Sequence, residues 1–304
     1  MSMSQLQCIW DAKAELGEGA LWHESEQALY WVDILSSQLH RYKPGTGDDA
    51  EKTSWQFPGS SISSVVPCSE GGLLATFADG VKHLDLETGE HRSVIELETD
   101  LPYNRFNDGC CDTQGNYWFG SMDNHERANS GRFYRLRSGA SSPAAGLEQL
   151  EKLGQICITN GPTFSPHGQW LYFTDTLAQK VFRAPLSSNG EIGSIELFVQ
   201  FTQAQGYPDG MCTDTEGYLW VCHFAGARIS RFAPDGALVR EIPMPVPNIT
   251  KCAFGGPSLN TLFITTASKG LSTEEKAQFP QAGGLFVVEL EQQGFCFPAV
   301  SINT

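Results

Sequence analysis

Five short stretches of the chain alternate polar with apolar residues: Gln38-Leu39-His40-Arg41-Tyr42, Val81-Lys82-His83-Leu84-Asp85-Leu86, Arg132-Phe133-Tyr134-Arg135-Leu136, Lys180-Val181-Phe182-Arg183-Ala184 and Arg228-Ile229-Ser230-Arg231-Phe232. Successive side chains of a strand point to opposite faces, so this two-residue period predicts half-buried antiparallel strands. Most of them lead into turn-rich stretches such as Lys43-Pro44-Gly45-Thr46-Gly47. Two longer copies stand out, Asp112-Thr113-Gln114-Gly115-Asn116-Tyr117-Trp118 and Asp214-Thr215-Glu216-Gly217-Tyr218-Leu219-Trp220. Each reads as a strand, a tight Asp-x-x-Gly turn and a second, apolar strand. Fainter copies run through Leu29 to Asp33, Ser165 to Tyr172, Val65 to Pro67 and Cys252 to Phe254.

These copies recur every roughly 40 to 50 residues, the period of a propeller blade rather than of a helical solenoid. Counting them predicts an all-β fold, a six-bladed β-propeller, as a single domain over residues 1–304. The last copy, Leu262-Phe263-Ile264-Thr265-Thr266, is followed by a polar segment, Lys269 to Gln281, and then by Gly284-Leu285-Phe286-Val287-Val288. Cys8-Ile9-Trp10 is expected to pair into the blade of these C-terminal strands, because joining the chain ends removes exposed sheet edges. A short helix is expected at Thr273 to Gln278, capped by Ser272. The hydrophilic segment Asp123 to Ser130 has no strand pattern and reads as a mobile loop over the axis. Trp31, Trp118, Trp170 and Trp220 occupy matching strand positions and are expected in the blade cores.

Of the 304 residues, 40% are hydrophobic and 18% charged, with 31 glycines, which suits short strands and tight turns and argues against disorder. The formal net charge of -15 repels phosphate backbones and anionic membranes, so neither nucleic acid nor membrane is an expected partner. Met1 to Gln7 has no basic or apolar run, and no stretch reaches the roughly 20 apolar residues of a span, so a cytoplasmic protein is expected. The nine cysteines are odd in number and lack Cys-x-x-Cys pairs, which points to reduced thiols acting as small buried hydrophobes. Cys110-Cys111 is not a zinc spacing. Nothing in the sequence specifies an oligomeric state.

Four times an oxygen-bearing side chain stands directly before glycine: Glu18-Gly19, Asp108-Gly109, Asn160-Gly161 and Asp209-Gly210. One such pair is an ordinary turn signal. Four pairs in one blade phase would sit at one height around an axis and converge. Glu18, Asn160 and Asp209 make an all-oxygen set of formal charge minus two, suited to Ca²⁺, Mg²⁺ or Mn²⁺; Zn²⁺ or Fe²⁺ would have to accept it without imidazole or thiolate. Three protein ligands leave positions for water or substrate, which favours catalysis. The seven histidines show no metal-binding spacing, and no Gly-x-Ser-x-Gly setting offers a nucleophile. Taken alone, Arg105 reads as a surface or ion-paired arginine, His125 as a loop residue and Lys251 as a strand-end charge.

The run Asn104-Arg105-Phe106-Asn107-Asp108-Gly109, with Leu16-Gly17-Glu18-Gly19, Thr159-Asn160-Gly161, Tyr172-Phe173-Thr174-Asp175 and Pro208-Asp209-Gly210-Met211, closely resembles the regucalcin (senescence marker protein)/gluconolactonase family. The motifs occur in order, and the resemblance runs from about Glu15 to Leu290. It implies a six-bladed propeller with one divalent metal ion in the central channel and, in many members, hydrolysis of sugar lactones. It places Glu18, Asn160 and Asp209 on the metal-ligand positions, Arg105 and Asn107 on substrate-contacting positions, and a general-base role on Asp209 as well. Gly120-Ser121-Met122 stands where the family has Gly-Thr-Met, and His125 stands about where some members carry a substrate-contacting glutamate. That departure leaves the sugar open.

The expected activity is therefore that of a metal-dependent hydrolase opening a pentono- or hexonolactone, such as an arabinono-, xylono-, galactono- or gluconolactone. The expected cofactor is one ion of Ca, Zn, Mn or Fe. Three alternatives stay open: a non-enzymatic Ca²⁺-binding regulatory propeller, which leaves Arg105 and Asn107 unexplained, a hydrolase of other esters or phosphotriesters, and an interaction scaffold.

Overall fold

The computed structural model describes residues 6–45 and 49–303. The turn expected at Lys43 to Gly47 runs into residues 46–48, which lie outside the described residues, as do residues 1–5. Among the described residues, 24 strands form six four-stranded antiparallel sheets, the six blades of a β-propeller. Five blades use four strands consecutive in sequence; the first runs Gly17–His23, Ala28–Asp33, Gln38–Lys43, Glu51–Gln56. The sixth draws on both chain ends. Its strand Gln7–Trp10 lies against Leu285–Glu289, with Cys8 opposite Phe286 and Trp10 opposite Leu285, as the edge argument anticipates.

The contacts divide the chain into two compact units of three blades each, Met1–Gln56 with Phe201–Cys296 and Phe57–Gln200 with Phe297–Thr304. The first unit has its core in Trp220, Ile249, Ile264 and Phe286, with a second cluster around Trp22, Trp31 and Phe263. The other packs Phe106, Phe119 and Tyr134 in one cluster and Trp118, Phe164, Leu171 and Phe173 in another. Each of these side chains is at most about 5% exposed, and truncating one such aromatic to alanine typically costs about 3–5 kcal/mol.

The repeated Asp-x-x-Gly turn has a side-chain explanation. One carboxylate oxygen of Asp112 accepts the backbone N–H groups of Gln114 (2.8 Å) and Asn116 (3.0 Å), while the other accepts Trp118 Nε1 (2.7 Å). Asp214 does the same for Glu216, Tyr218 and Trp220, and also accepts Arg231 Nε at 2.8 Å. Thus one buried carboxylate shapes the hairpin and satisfies the indole of the next core tryptophan.

Trp31, Trp118 and Trp220 are fully buried, but Trp170 is only half-buried. Leu171 takes the position opposite Phe164 that Trp118 takes opposite Cys110, and Trp170, one residue earlier, lies under the Arg183 guanidinium at 4.4 Å. The helix Thr273–Gln278 forms with Ser272 as its cap in a reciprocal capping box with Glu275. Beyond Asp123 the segment to Ser130 forms no strand, and the Asp123 carboxylate accepts the N–H groups of His125, Arg127 and Ala128 at 2.8–3.1 Å. All nine cysteines are free and none is exposed. Burial pushes the thiols of Cys111, Cys212 and Cys222 well above their ordinary range, as expected of inert packing groups.

Candidate active site

The leading strand of every blade carries a β-bulge at the same phase. In the first blade Glu18 pairs with Val32 and Leu21 with Tyr30, so Gly19 and Ala20 together oppose Trp31. Likewise Asn107 and Asp108 oppose Gly120, Gly161 and Pro162 oppose Phe173, and Asp209 and Gly210 oppose Cys222. The other two leading strands insert Ser63 and Thr250. A bulge re-aims the side chains beside it, and the recurring glycine follows from its geometry. Gly19 and Gly161 adopt φ of 64° and 72°, and Gly210 has the backbone of Thr250 and the side chain of Lys251 within 2.8 Å of where a Cβ would sit.

In the second unit the bulges assemble a line of buried polar groups. Asn124 Oδ1 accepts Arg105 Nε at 3.2 Å, and Arg105 Nη1 donates to Asn107 Oδ1 (2.8 Å) and to the Phe106 carbonyl (2.9 Å). Asn107 Nδ2 donates to the Thr159 carbonyl (2.7 Å) and to Asn160 Oδ1 (2.9 Å), and Asn160 Nδ2 donates to Thr176 Oγ1 (2.9 Å). Arg105, Asn107 and Asn160 are 6%, 6% and 2% exposed, so Arg105 is neither solvated nor a surface residue. Both amide hydrogens of Asn107 are used within the protein, which leaves a lone pair of Oδ1 for any outside donor. Asp108 departs from the expected set. Its carboxylate accepts the N–H groups of Gly109 (2.7 Å) and Gly161 (3.0 Å), tying two leading strands together.

In the first unit Glu18 and Asp209 are both 5% exposed. Glu18 Oε2 accepts the Gly19 N–H at 3.0 Å, and the chain just before it is pinned by Asp33, which accepts the N–H groups of Glu15 and Leu16. Thr250 donates to the Gly17 carbonyl. Lys251, expected as a strand-end charge, instead lies inside the strand Asn248–Gly255 at 5% exposure, packed against Gly210 beside Asp209. Its sequence neighbours gave no sign of this, because the leading strand begins at Asn248, four residues before the apolar run Cys252-Ala253-Phe254. A lysine buried this deeply is unusual and is not solvated surface.

His125 is exposed, with its ring centroid 5.3 Å from that of Tyr103. Among the described residues no three of His, Cys, Asp and Glu are placed to hold a metal ion. Glu18 and Asp209 carry carboxylates and Asn160 an amide oxygen. All three are hard oxygens on buried side chains, which suits a hard cation.

Comparison with known proteins places the chain in a family. Residues 16–268 match the SMP-30/Gluconolactonase/LRE-like region, and the chain belongs to that family. It is 33% identical to the 6-deoxy-6-sulfogluconolactonase of Pseudomonas putida over 96% of this chain and 97% of that protein. It is also 33% identical to the L-arabinolactonase of Azospirillum brasilense, covering 95% and 93% of the two chains. The crystal structure of the calcium-binding protein regucalcin from Agrobacterium tumefaciens superposes with a TM-score of 0.89 at 28% identity, covering 98% of this chain and 97% of that one.

Proposed function

We propose that this protein is a carboxylic ester hydrolase that opens a sugar aldonolactone, a pentono- or hexonolactone, to the aldonic acid. Lactonases similar to it along nearly their whole length support the reaction class. The observation that carries the reading is the buried line Arg105–Asn107–Asn160. A propeller that only stored or sensed a cation would have no use for a desolvated guanidinium held beside a ligand position.

Glu18, Asn160 and Asp209 are the residues proposed to hold one divalent ion, which when bound supplies Lewis-acid polarisation of the lactone carbonyl. Arg105 faces the same oxygen and stabilises the negative charge that develops on it as water adds. Asn107 fixes the guanidinium through its Oδ1 and offers the remaining lone pair to a ring hydroxyl. Asp209 takes the proton of the attacking water. The new bond joins water oxygen to the carbonyl carbon, the bond from that carbon to the ring oxygen breaks, and the proton passes to the ring oxygen. A strained lactone needs no protein nucleophile for this.

Acid release from a panel of pentono- and hexonolactones tests the reading, with wild type and Asp209→Asn run together at saturating divalent ion. Wild type should open at least one lactone, and Asp209→Asn, which keeps an oxygen at that position, should lose most of kcat. No acid from any lactone with wild type overturns the function, and a near wild-type rate in the variant removes Asp209 as base.

A further inference from the structure

We propose that Cys212, Cys222 and Cys252 form a peroxide-sensitive modification site, in which a reversible disulfide between Cys212 and Cys252 joins the leading strands of the fifth and sixth blades. The two sulfurs stand 3.5 Å apart, Cys212 on the strand Tyr207–Thr213 and Cys252 on the strand Asn248–Gly255. Cys222, on the strand Leu219–Phe224, also shares a thiol hydrogen bond with Cys252. All three belong to one compact unit.

Other thiols of this chain are turned to oxygen: Cys68 Sγ donates to Glu70 Oε2 at 3.0 Å and Cys110 Sγ to the Pro162 carbonyl at 2.9 Å. Here sulfur meets sulfur. Taken singly, Cys212 and Cys222 are packing groups, but both donate to Cys252, and these hydrogen bonds, with the charge of Lys251, hold its thiol below the ordinary range. The thiolate is the nucleophilic form of cysteine, and a second sulfur in contact lets a sulfenic acid condense before it is oxidised further. A disulfide needs about 2.05 Å between its sulfurs, an approach of about 1.5 Å that side-chain rotation and a small strand shift supply. Cys222 and Cys252 are 0% and 1% exposed while Cys212 is half-buried, so access runs past Cys212 and favours a water-sized oxidant over a bulky disulfide.

With hydrogen peroxide as the oxidant, the Cys252 sulfur attacks one peroxide oxygen, the O–O bond breaks, and the departing hydroxide takes up a proton as water. The Cys212 sulfur then attacks the sulfenic sulfur, the S–O bond breaks, and the second hydroxide leaves with the Cys212 proton. The two thiols lose two electrons in all, and one peroxide becomes two waters. Asp209 stands three residues before Cys212 on the same strand, and Cys222 lies opposite its bulge. Drawing that strand toward the sixth blade moves the carboxylate, so the bond should slow lactone opening, a consequence that rests on the lactonase reading.

The test treats reduced wild type with hydrogen peroxide, maps its peptides without reduction, titrates thiols after denaturation, and assays lactone opening before and after dithiothreitol. The nine thiols should fall by two, with the peptide of Cys212 linked to that of Cys252. A misplacement of about 1 Å is enough for kcat to fall about 10- to 100-fold, and dithiothreitol should restore both thiols and rate. Cys222→Ala should still form the bond, and Cys252→Ala should keep its rate under peroxide. Nine thiols after peroxide, or a disulfide linking any other pair, overturns the site, and undiminished turnover in the cross-linked protein overturns its reach to Asp209. If reduced wild type opens no lactone the lactonase reading fails, while a mapped and reversible Cys212–Cys252 bond still upholds the modification site.

Discussion

Arg105 shows why residue identity, beyond charge, matters at this site. Its Nε and Nη1 are held by Asn124, Asn107 and the Phe106 carbonyl at 2.8–3.2 Å, a planar arrangement that a lysine ammonium cannot reproduce. Hydrogen bonds to charged groups contribute about 1.5–3 kcal/mol, so Arg105→Lys should lower kcat/KM about 10- to 100-fold. Because these bonds are made within the protein, its thermal midpoint should also fall, by about 2–4 °C for each kcal/mol lost. A variant with wild-type kinetics would return Arg105 to a purely structural role. At this scale the sequence showed which types of residue stand before glycine but not what each side chain does. Asp108 and Asn160 look alike in the chain, yet Asp108 binds two backbone N–H groups while Asn160 lies at the end of the Arg105–Asn107 line. Only the neighbouring strand, which supplies the Gly161 N–H, makes the difference.

At the scale of elements, the third strands of the blades announce themselves by alternation in the sequence, although both faces of Phe133–Leu136 are buried and Ser230 and Arg231 are 0% and 8% exposed, rather than half-buried as expected. The fourth strands do not. Glu51–Gln56, Leu147–Gln149 and Glu196–Gln200 are exposed or half-buried at every position, so no alternation marks them. Their hydrogen-bonded neighbours, rather than their own composition, make them strands. The C-terminal residues are a similar case: Val300 is fully buried and donates its N–H to the Pro67 carbonyl at 2.9 Å, in a segment with no strand pattern.

Two strands also carry buried histidines with a consequence for pH. His40, 4.2 Å from the Trp31 ring, and His223, stacked on Phe201 at 4.3 Å, are both pushed down to about 4 by burial. His223 Nε2 is buried and has no hydrogen-bond partner among the described residues. Below pH about 6.5 the unfolded chain protonates these imidazoles while the folded one does not, so stability is full above that pH and declines down to about pH 4. The loss is bounded at about 3 kcal/mol for each histidine. Thermal midpoints measured from pH 7.5 to 4.5 should fall less steeply in His223→Gln than in wild type. Parallel slopes would mean that His223 is not held neutral.

For the whole molecule, the six blades group into two compact units of three blades each. The blade count and the pairing of the two chain ends were legible because a repeat of fixed length announces itself many times over. Which residue stands at each bulge follows from register, and register is a property of strand pairs that one strand's sequence does not contain. The net charge of -15 adds a field that favours cations and disfavours anionic partners. The central claim is that lactone opening depends on a divalent ion held by buried oxygens. It is tested most directly by measuring acid release from the best lactone before chelation, after the protein is shown metal-free by elemental analysis, and after single divalent ions are returned. Activity should vanish in the metal-free protein and come back with at least one of Ca²⁺, Mn²⁺, Zn²⁺ or Fe²⁺; full activity in the metal-free protein would contradict the account.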